Sequence, residues 1–260
     1  MHLTIVGYTG IYMTQYFTES GMGERYDQYR PKTHQAVVQK IQQHLQGRHF
    51  ERVVDVACGT GDSTVPLLAL GQEVMGIDAS DEMLAIARKR GLPVRKADYT
   101  ELPQQGRFDL ISTCMAFHWF DGPRAIAAYK AASNPCAVWL IYNFAFAGHT
   151  TSEQFNNWLR NEYFKRYPSP PRNRFEDMTL ADDEELCVIA SERGWLPIEF
   201  TLESLIGYLS TQSNIEEVAR KGRTLNAIAT ELRKELSEID LIGAFKYTYS
   251  YEILEYTGSQ

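Results

Sequence analysis

The sequence predicts an α/β protein built on a mostly parallel sheet, and three observations carry that expectation. The 260 residues lie at the upper end of what one hydrophobic core supports. From Arg52 onward, short β-branched runs alternate with helical patterns, the order that builds βαβ units with right-handed crossovers. The composition, 44% apolar with 23% charged residues, is that of an ordinary globular protein and excludes disorder as the main state.

The strand runs are RVVDVA (Arg52 to Ala57), EVMGID (Glu73 to Asp78), PVRKAD (Pro93 to Asp98), FDLISTC (Phe108 to Cys114) and AVWLIYNF (Ala137 to Phe144). Between the second and third lies the clearest helix, SDEMLAIARKRG. Ser80 is its N-cap, Asp81 and Glu82 suit its positive end, Met83, Ile86 and Ala87 share a face, and Gly91 stops it. Beyond the fifth strand the alternation breaks. An aromatic-rich helix is expected over Thr151 to Pro171, ending in the SPP turn, then a helix from about Leu180 to Arg193 and a strand around Pro197 to Thr201. An amphipathic stretch from Ile215 to Ile239 and a closing strand over Phe245 to Tyr256, where Tyr247, Tyr249 and Tyr251 alternate with polar residues, complete the chain.

Charge and cysteine usage narrow the partners. Lys and Arg number 26 against 33 Asp and Glu, a net charge of −7, so no global field would hold polyanionic nucleic acid. Cys58, Cys114, Cys136 and Cys187 form no CxxC pair; free thiols in a reducing compartment are expected, not a zinc ribbon or a disulfide framework. The longest apolar stretch, Ala137 to Ala147, is about half of what a bilayer demands, and the N-terminal segment lacks a basic region and a cleavage site. A cytoplasmic protein without membrane insertion is expected.

The strongest chemical signal is VVDVACGTGDST, Val53 to Thr64, an apolar strand running into Gly59-Thr60-Gly61 and a helix start. Glycines at such a junction let a ligand touch the backbone, which implies a nucleotide-type ligand. A dinucleotide fingerprint would place a third glycine where Thr64 stands, and the lysine of a phosphate-binding loop is missing. Asp78 ends the second strand, where an ionised carboxylate, acceptor-only, suits a ribose diol. Asp98 ends the third and is placed to accept from the exocyclic amine of an adenine. Each acid alone reads first as a helix cap or turn residue; together with the glycines they converge on one crevice.

These motifs, D-V-A-C-G-T-G (Asp55 to Gly61), G-I-D-A-S (Gly76 to Ser80), A-D (Ala97, Asp98) and F-D-L-I-S-T-C-M-A-F-H-W-F (Phe108 to Phe120), resemble the successive motifs of class I S-adenosylmethionine-dependent methyltransferases. The resemblance covers roughly Tyr26 to Phe144. R-Y-D-Q-Y-R-P (Arg25 to Pro31), F-H-W-F, YLSTQS (Tyr208 to Ser213) and the YTYSYEILEY tail are similar to the small-molecule branch with trans-aconitate and ubiquinone or menaquinone methyltransferases. Where that family commonly has a lysine-proline-glycine turn before the fifth strand, this chain has Ala132-Ser133-Asn134-Pro135-Cys136. The resemblance implies a Rossmann-like, seven-stranded, mostly parallel sheet in a single domain over 1-260. A helical cap would come from about 1-30 and 151-239. It further implies S-adenosyl-L-methionine as cofactor, against Arg30, Asp55, Ala57, Gly59, Thr60, Gly61, Asp78, Ala79, Met83, Asp98, Tyr99, Cys114 and Met115.

Aromatic residues are dense in the segments that the sheet does not need, and ligand pockets are mostly apolar with few polar anchors. Tyr12, Tyr16, Tyr29, His118, Trp119 and Trp158 are therefore the candidate acceptor-binding residues, and the expected acceptor is a small organic molecule, hydrophobic or weakly acidic. His118 reads either as a general base or as a residue that packs and orients the acceptor; Phe117 and Trp119 read as core or adenine wall. Tyr29 and Arg30 could bind the methionine carboxylate or the acceptor, or form a surface ion pair. Thr151 to Phe175 carries five cations, Arg160, Lys165, Arg166, Arg172 and Arg174, against Glu153 and Glu162, a cationic cap or a solvated helix face. A non-catalytic S-adenosylmethionine-binding subunit and a nicotinamide-dependent oxidoreductase are the alternative readings.

Overall fold

The computed structural model describes residues 21–170 and 180–258. Seven strands, β1 (Phe50–Val56), β2 (Gly71–Asp78), β3 (Val94–Lys96), β4 (Phe108–Cys114), β5 (Ser133–His149), β6 (Leu186–Glu199) and β7 (Ala244–Tyr256), form one sheet in the order β3-β2-β1-β4-β5-β7-β6. All neighbours from β3 to β5 pair in parallel; β7 is antiparallel to both β5 and β6 and is thus the one reversed strand. The mostly parallel, seven-stranded expectation holds.

The central strands are apolar on both faces because both are covered. Val53 joins Val37, Val38 and Ile41 of α2 (His34–His44) and Leu110, Leu140 and Tyr142 of the strands in one buried layer. Val54, its neighbour, points to the other layer with Ile111, Trp139 and Ile141, beneath Ala125 and Tyr129 of α5 (Gly122–Ala132). Between these lie the four-residue α3 (Thr64–Leu67) and α4 (Asp81–Lys89), whose N-cap Ser80 accepts from Met83 N–H at 3.3 Å. α5 is capped likewise by Asp121, which accepts from Arg124 N–H at 3.1 Å. The chain departs from β1 and β4 on opposite sides, so a crevice opens at the carboxyl ends of these two strands.

The second half corrects several expectations. Leu180 to Arg193 is not a helix: a short 3-10 turn over Leu180–Asp182 leads into β6, of which the expected strand at Pro197 is only the end. The spacing of Leu186, Ile189, Ala190 and Arg193 imitates a helix, but pairing from Leu186 to Glu199 along β7 fills the seventh place in the sheet and overrides it. Residues 186–199, inside the range read as cap, therefore belong to the sheet. β5 extends beyond Ala137 to Phe144 at both ends, absorbing Ser133 to Pro135 with a register shift against β4 and a left-handed Cys136. The single aromatic helix is broken into α6 (Glu153–Trp158), a π-turn over Leu159–Tyr163 and α7 (Phe164–Arg166). α8 (Leu202–Ser210) follows β6, and the amphipathic stretch is two helices, α9 (Ser213–Arg220) and α10 (Leu225–Leu236), separated at Gly222. α1 (Met22–Tyr29) precedes the sheet. Among the described residues no helix is long and apolar enough to cross a membrane, no group of His, Cys, Asp or Glu is arranged to hold a metal ion, and all four cysteines are free thiols.

Gly61 joins the two scales. Its φ is 87°, and a Cβ there would lie 2.2 Å from Leu92 Cδ1. Gly61→Ala should combine left-handed strain with overpacking and cost about 2–5 kcal/mol in urea unfolding. A loss under about 1 kcal/mol would mean that the turn relaxes freely.

Candidate active site

The glycine loop is organised from beneath by a buried acid. Asp55, near the end of β1, is fully buried, and its Oδ2 accepts from Ser63 Oγ at 2.6 Å and Thr64 Oγ1 at 2.7 Å. Thr64, standing where a dinucleotide fingerprint has glycine, thus uses its hydroxyl to tie the start of α3 back to β1. Burial pushes the Asp55 carboxyl up to about 7, against the pull of the two hydroxyls.

The loop's upper side is open. Gly59 has φ 56°, and a Cβ built on it meets nothing within 4 Å. Its N–H donates to Asp78 Oδ2 at 2.8 Å, while Ser80 N–H donates to Asp78 Oδ1 at 2.8 Å. Burial raises the pKa of Asp78, and these backbone donors, with that of Ala79, oppose the rise. Ala57 and Met115, which follow β1 and β4, are both left-handed, at φ 58° and 59°, conformations that non-glycine residues adopt at a cost. Both face the crevice.

Two cavities meet there. The smaller, about 60 Å³, is lined by Ala57, Gly59, Asp78, Ala79, Met83 and Cys114. The larger, about 200 Å³, lies between β5 and the helices of the second half, lined by Arg30, His118, Phe144, Phe146, Tyr163 and Tyr208. Tyr26, Met115 and Trp119 line both and form the shared wall. α1 carries Tyr26, and ion pairs hold that helix over the crevice: Lys32 Nζ bridges Asp27 at 2.8 Å and Asp62 at 2.7 Å, and Arg90 bridges the same two acids.

Of the expected cofactor residues, Ala57, Gly59, Asp78, Ala79, Met83, Cys114 and Met115 line the smaller cavity. Asp55, Thr60 and Gly61 lie behind the loop as its scaffold; Thr60 and Asp55 are buried. Asp98 does not line it: its carboxylate caps a 3-10 turn, accepting from Thr100 N–H at 2.9 Å and Thr100 Oγ1 at 2.8 Å. Tyr99 stacks on Phe120 at 4.2 Å and takes a hydrogen bond from Asp121 N–H.

The expected acceptor residues divide. His118 and Trp119 line the larger cavity, and Arg30 belongs there rather than to the smaller one. Tyr29 packs against Gly207 of α8, away from the cavity; its neighbour Tyr26 faces in instead. Trp158 is in the interior of the helical layer, against Phe155 and Tyr163, with its Nε1 donating to Glu235 at 2.8 Å. Phe117 is core. Tyr12, Tyr16, Arg172 and Arg174 lie outside the described residues. Arg166 is neutralised by Glu231 and Glu235, so it presents no free charge to a ligand. Tyr26, Tyr163, Tyr208, Phe144 and Phe146 are the residues that the sequence reading missed. The alternation of Phe144 and Phe146 along β5 was the available signal for two of them, and the YLSTQS segment for Tyr208.

Comparison with known proteins bears on this geometry. Residues 53–136 match the family model described as a methyltransferase domain. This stretch, about a third of the chain, is similar to a methyltransferase domain. Over 147 residues it is 32% identical to the trans-aconitate 2-methyltransferase of Deinococcus radiodurans, covering 52% of this chain and 57% of that one. Over 103 residues it is 33% identical to the ubiquinone biosynthesis O-methyltransferase of Bordetella parapertussis, covering 36% and 42%. The chain thus spans about half the length of these curated relatives. In fold it is similar to a structure assigned as a type II methyltransferase from Anaeromyxobacter dehalogenans, with a TM-score of 0.61 at 17% identity over 87% of this chain and 97% of that one. The methyltransferase match begins at Val53 in β1 and ends at Cys136 in β5, so it contains the glycine loop, Asp78 and the β4 edge, and leaves out α1 and the helices that wall the larger cavity.

Asp55 gives the site a pH signature. Its folded pKa lies above the ordinary 3.8, so folding takes up a proton between about pH 4 and 7. The associated stability is complete below pH 4 and gone above 7. Relative to Asp55→Asn, the native chain should lose about 2–4 kcal/mol of unfolding free energy between pH 4 and 7.5, measured by urea titration. Parallel pH profiles for the two proteins would refute a buried, proton-binding Asp55.

Proposed function

We propose that this protein transfers a methyl group from S-adenosyl-L-methionine to an oxygen, nitrogen or carbon atom of a small organic molecule, by in-line displacement. The observation that carries the reading is the pair of cavities joined at Tyr26, Met115 and Trp119: a donor and an acceptor housed on either side of that wall meet at their reacting atoms. The smaller cavity fits an adenosyl group by its chemistry. Gly59 leaves room over the loop backbone, and Asp78 retains lone pairs beyond its backbone donors with which to accept ribose hydroxyls.

The sulfonium of the donor activates the methyl group itself, so the protein's task is alignment and the exclusion of water. Tyr26 and Trp119 close the junction, and the aromatic wall of Phe144, Phe146, Tyr163 and Tyr208 makes the acceptor side largely apolar, with few polar anchors. His118 lines the same cavity and is placed to take the proton of a phenolic or amine acceptor. A carboxylate acceptor needs no base. The nicotinamide alternative loses ground because Thr64 is used in the loop's own hydrogen bonding.

Asp78→Ala removes charge-assisted acceptors and should weaken S-adenosylhomocysteine binding, measured by calorimetry, by about 1.5–3 kcal/mol for each ribose bond lost. Unchanged affinity in that variant would remove Asp78 from the donor site.

A further inference from the structure

Arg30 stands out in the larger cavity because nothing described neutralises it. Its Nη2 donates to the Thr211 carbonyl at 2.7 Å, and the guanidinium lies over the rings of Tyr26 at 4.6 Å and Tyr208 at 5.4 Å. The charged and polar neighbours that act on it are tyrosines, Tyr26, Tyr208 and Tyr247; among the described residues no carboxylate is within ion-pair reach. Its Nε is buried without a hydrogen-bond partner. A cation held in this way costs free energy unless a ligand compensates it. The same cavity is lined by Ser213 and Asn214 at the amino end of α9, but that end is already satisfied: Asn214 Oδ1 accepts from Ile215 N–H at 3.0 Å, and the buried Glu216 stands in the first turn, paired with Arg25 at 3.2 Å. Among the described residues, Arg30 is therefore the charged group in this cavity left to meet an anion. By contrast, the described residues that line the smaller cavity include no cation.

We infer that Arg30 forms an anion-binding subsite in the larger cavity, so that the acceptor is bifunctional: a carboxylate or phosphate serves as a handle there, while a different group meets the methyl at the junction. Arg30 does not belong to the shared wall of Tyr26, Met115 and Trp119, so a group seated on it is set off from the point of transfer. This makes Arg30 a specificity-determining residue rather than a catalytic one. The inference rests on the proposed donor and acceptor cavities.

The test uses the full chain with benzoate, succinate and phenyl phosphate, each against its neutral counterpart, benzamide, succinamide or phenol, titrated by calorimetry with S-adenosylhomocysteine present. At least one acid should bind the native protein about tenfold or more tightly than its neutral partner, the worth of one charge-assisted contact. That preference should persist in Arg30→Lys and vanish in Arg30→Gln, while the affinity for S-adenosylhomocysteine stays within about threefold of native. No acid preference in the native protein overturns the inference, whether or not the variants fold. A loss of S-adenosylhomocysteine affinity in Arg30→Gln, with methylthioadenosine binding unchanged, overturns it too, since the guanidinium then serves the donor's carboxylate. If the native protein binds no S-adenosylhomocysteine at all, the methyl-transfer reading fails instead, and the acid preference measured without it still decides the subsite.

Discussion

The hydrogen bond from the Gly59 amide to Asp78 ties the first two strand ends into one surface, and the site depends on it. It can form because the loop between them is fixed from below by the buried Asp55, whose carboxylate gathers the hydroxyls of Ser63 and Thr64. One acid shapes the loop and the other receives it. The two buried acids are served differently: Asp78 accepts backbone N–H groups on both oxygens, whereas among the described residues Asp55 accepts on Oδ2 alone and burial raises its pKa to about 7. Above Gly59 the space is open: a Cβ built there meets nothing within 4 Å.

Around that surface α1 and the second half of the chain supply what the sheet alone lacks. α1 is fastened by the Asp27, Lys32, Asp62 and Arg90 ion pairs and delivers Tyr26 to the junction. The helices after β5 are fastened to one another by Arg166, Glu231, Glu235 and the Trp158 indole, a network that uses cap charges for internal attachment. Arg30 is the exception, a cation turned toward the cavity and stacked between tyrosines instead of paired. The left-handed Ala57 and Met115 sit at the two strand ends that border the crevice, where strain of about 1–3 kcal/mol each is tolerated because the surrounding sheet holds them.

Much of this was legible in the sequence where local and global signals agree. β1 to β4 and α4 follow from β-branched runs, the Ser80 cap and the turn glycines, and the glycine loop with Asp78 is where strand-end logic places it. β6 was not legible, because its helical spacing yields only to pairing with a strand almost sixty residues later. Tyr29 and Trp158 were plausible wall residues by composition, but an aromatic ring faces a cavity or a core according to its neighbours, and Gly207 and Tyr163 decide those cases. The capping role of Asp98 was visible as an alternative from the start; Thr100 and Glu101 complete the capping box. The lack of a counter-charge for Arg30 among the described residues is a three-dimensional fact that no spacing encodes.

The central claim is that the joined cavities pass a methyl group to a small molecule. Incubating the protein with S-adenosylmethionine labelled in its methyl group, together with a low-molecular-weight metabolite fraction, tests it most directly. The account predicts label in small, extractable products, with an equal amount of S-adenosylhomocysteine formed. Donor binding without S-adenosylhomocysteine production, or label found only in protein or nucleic acid, would contradict it.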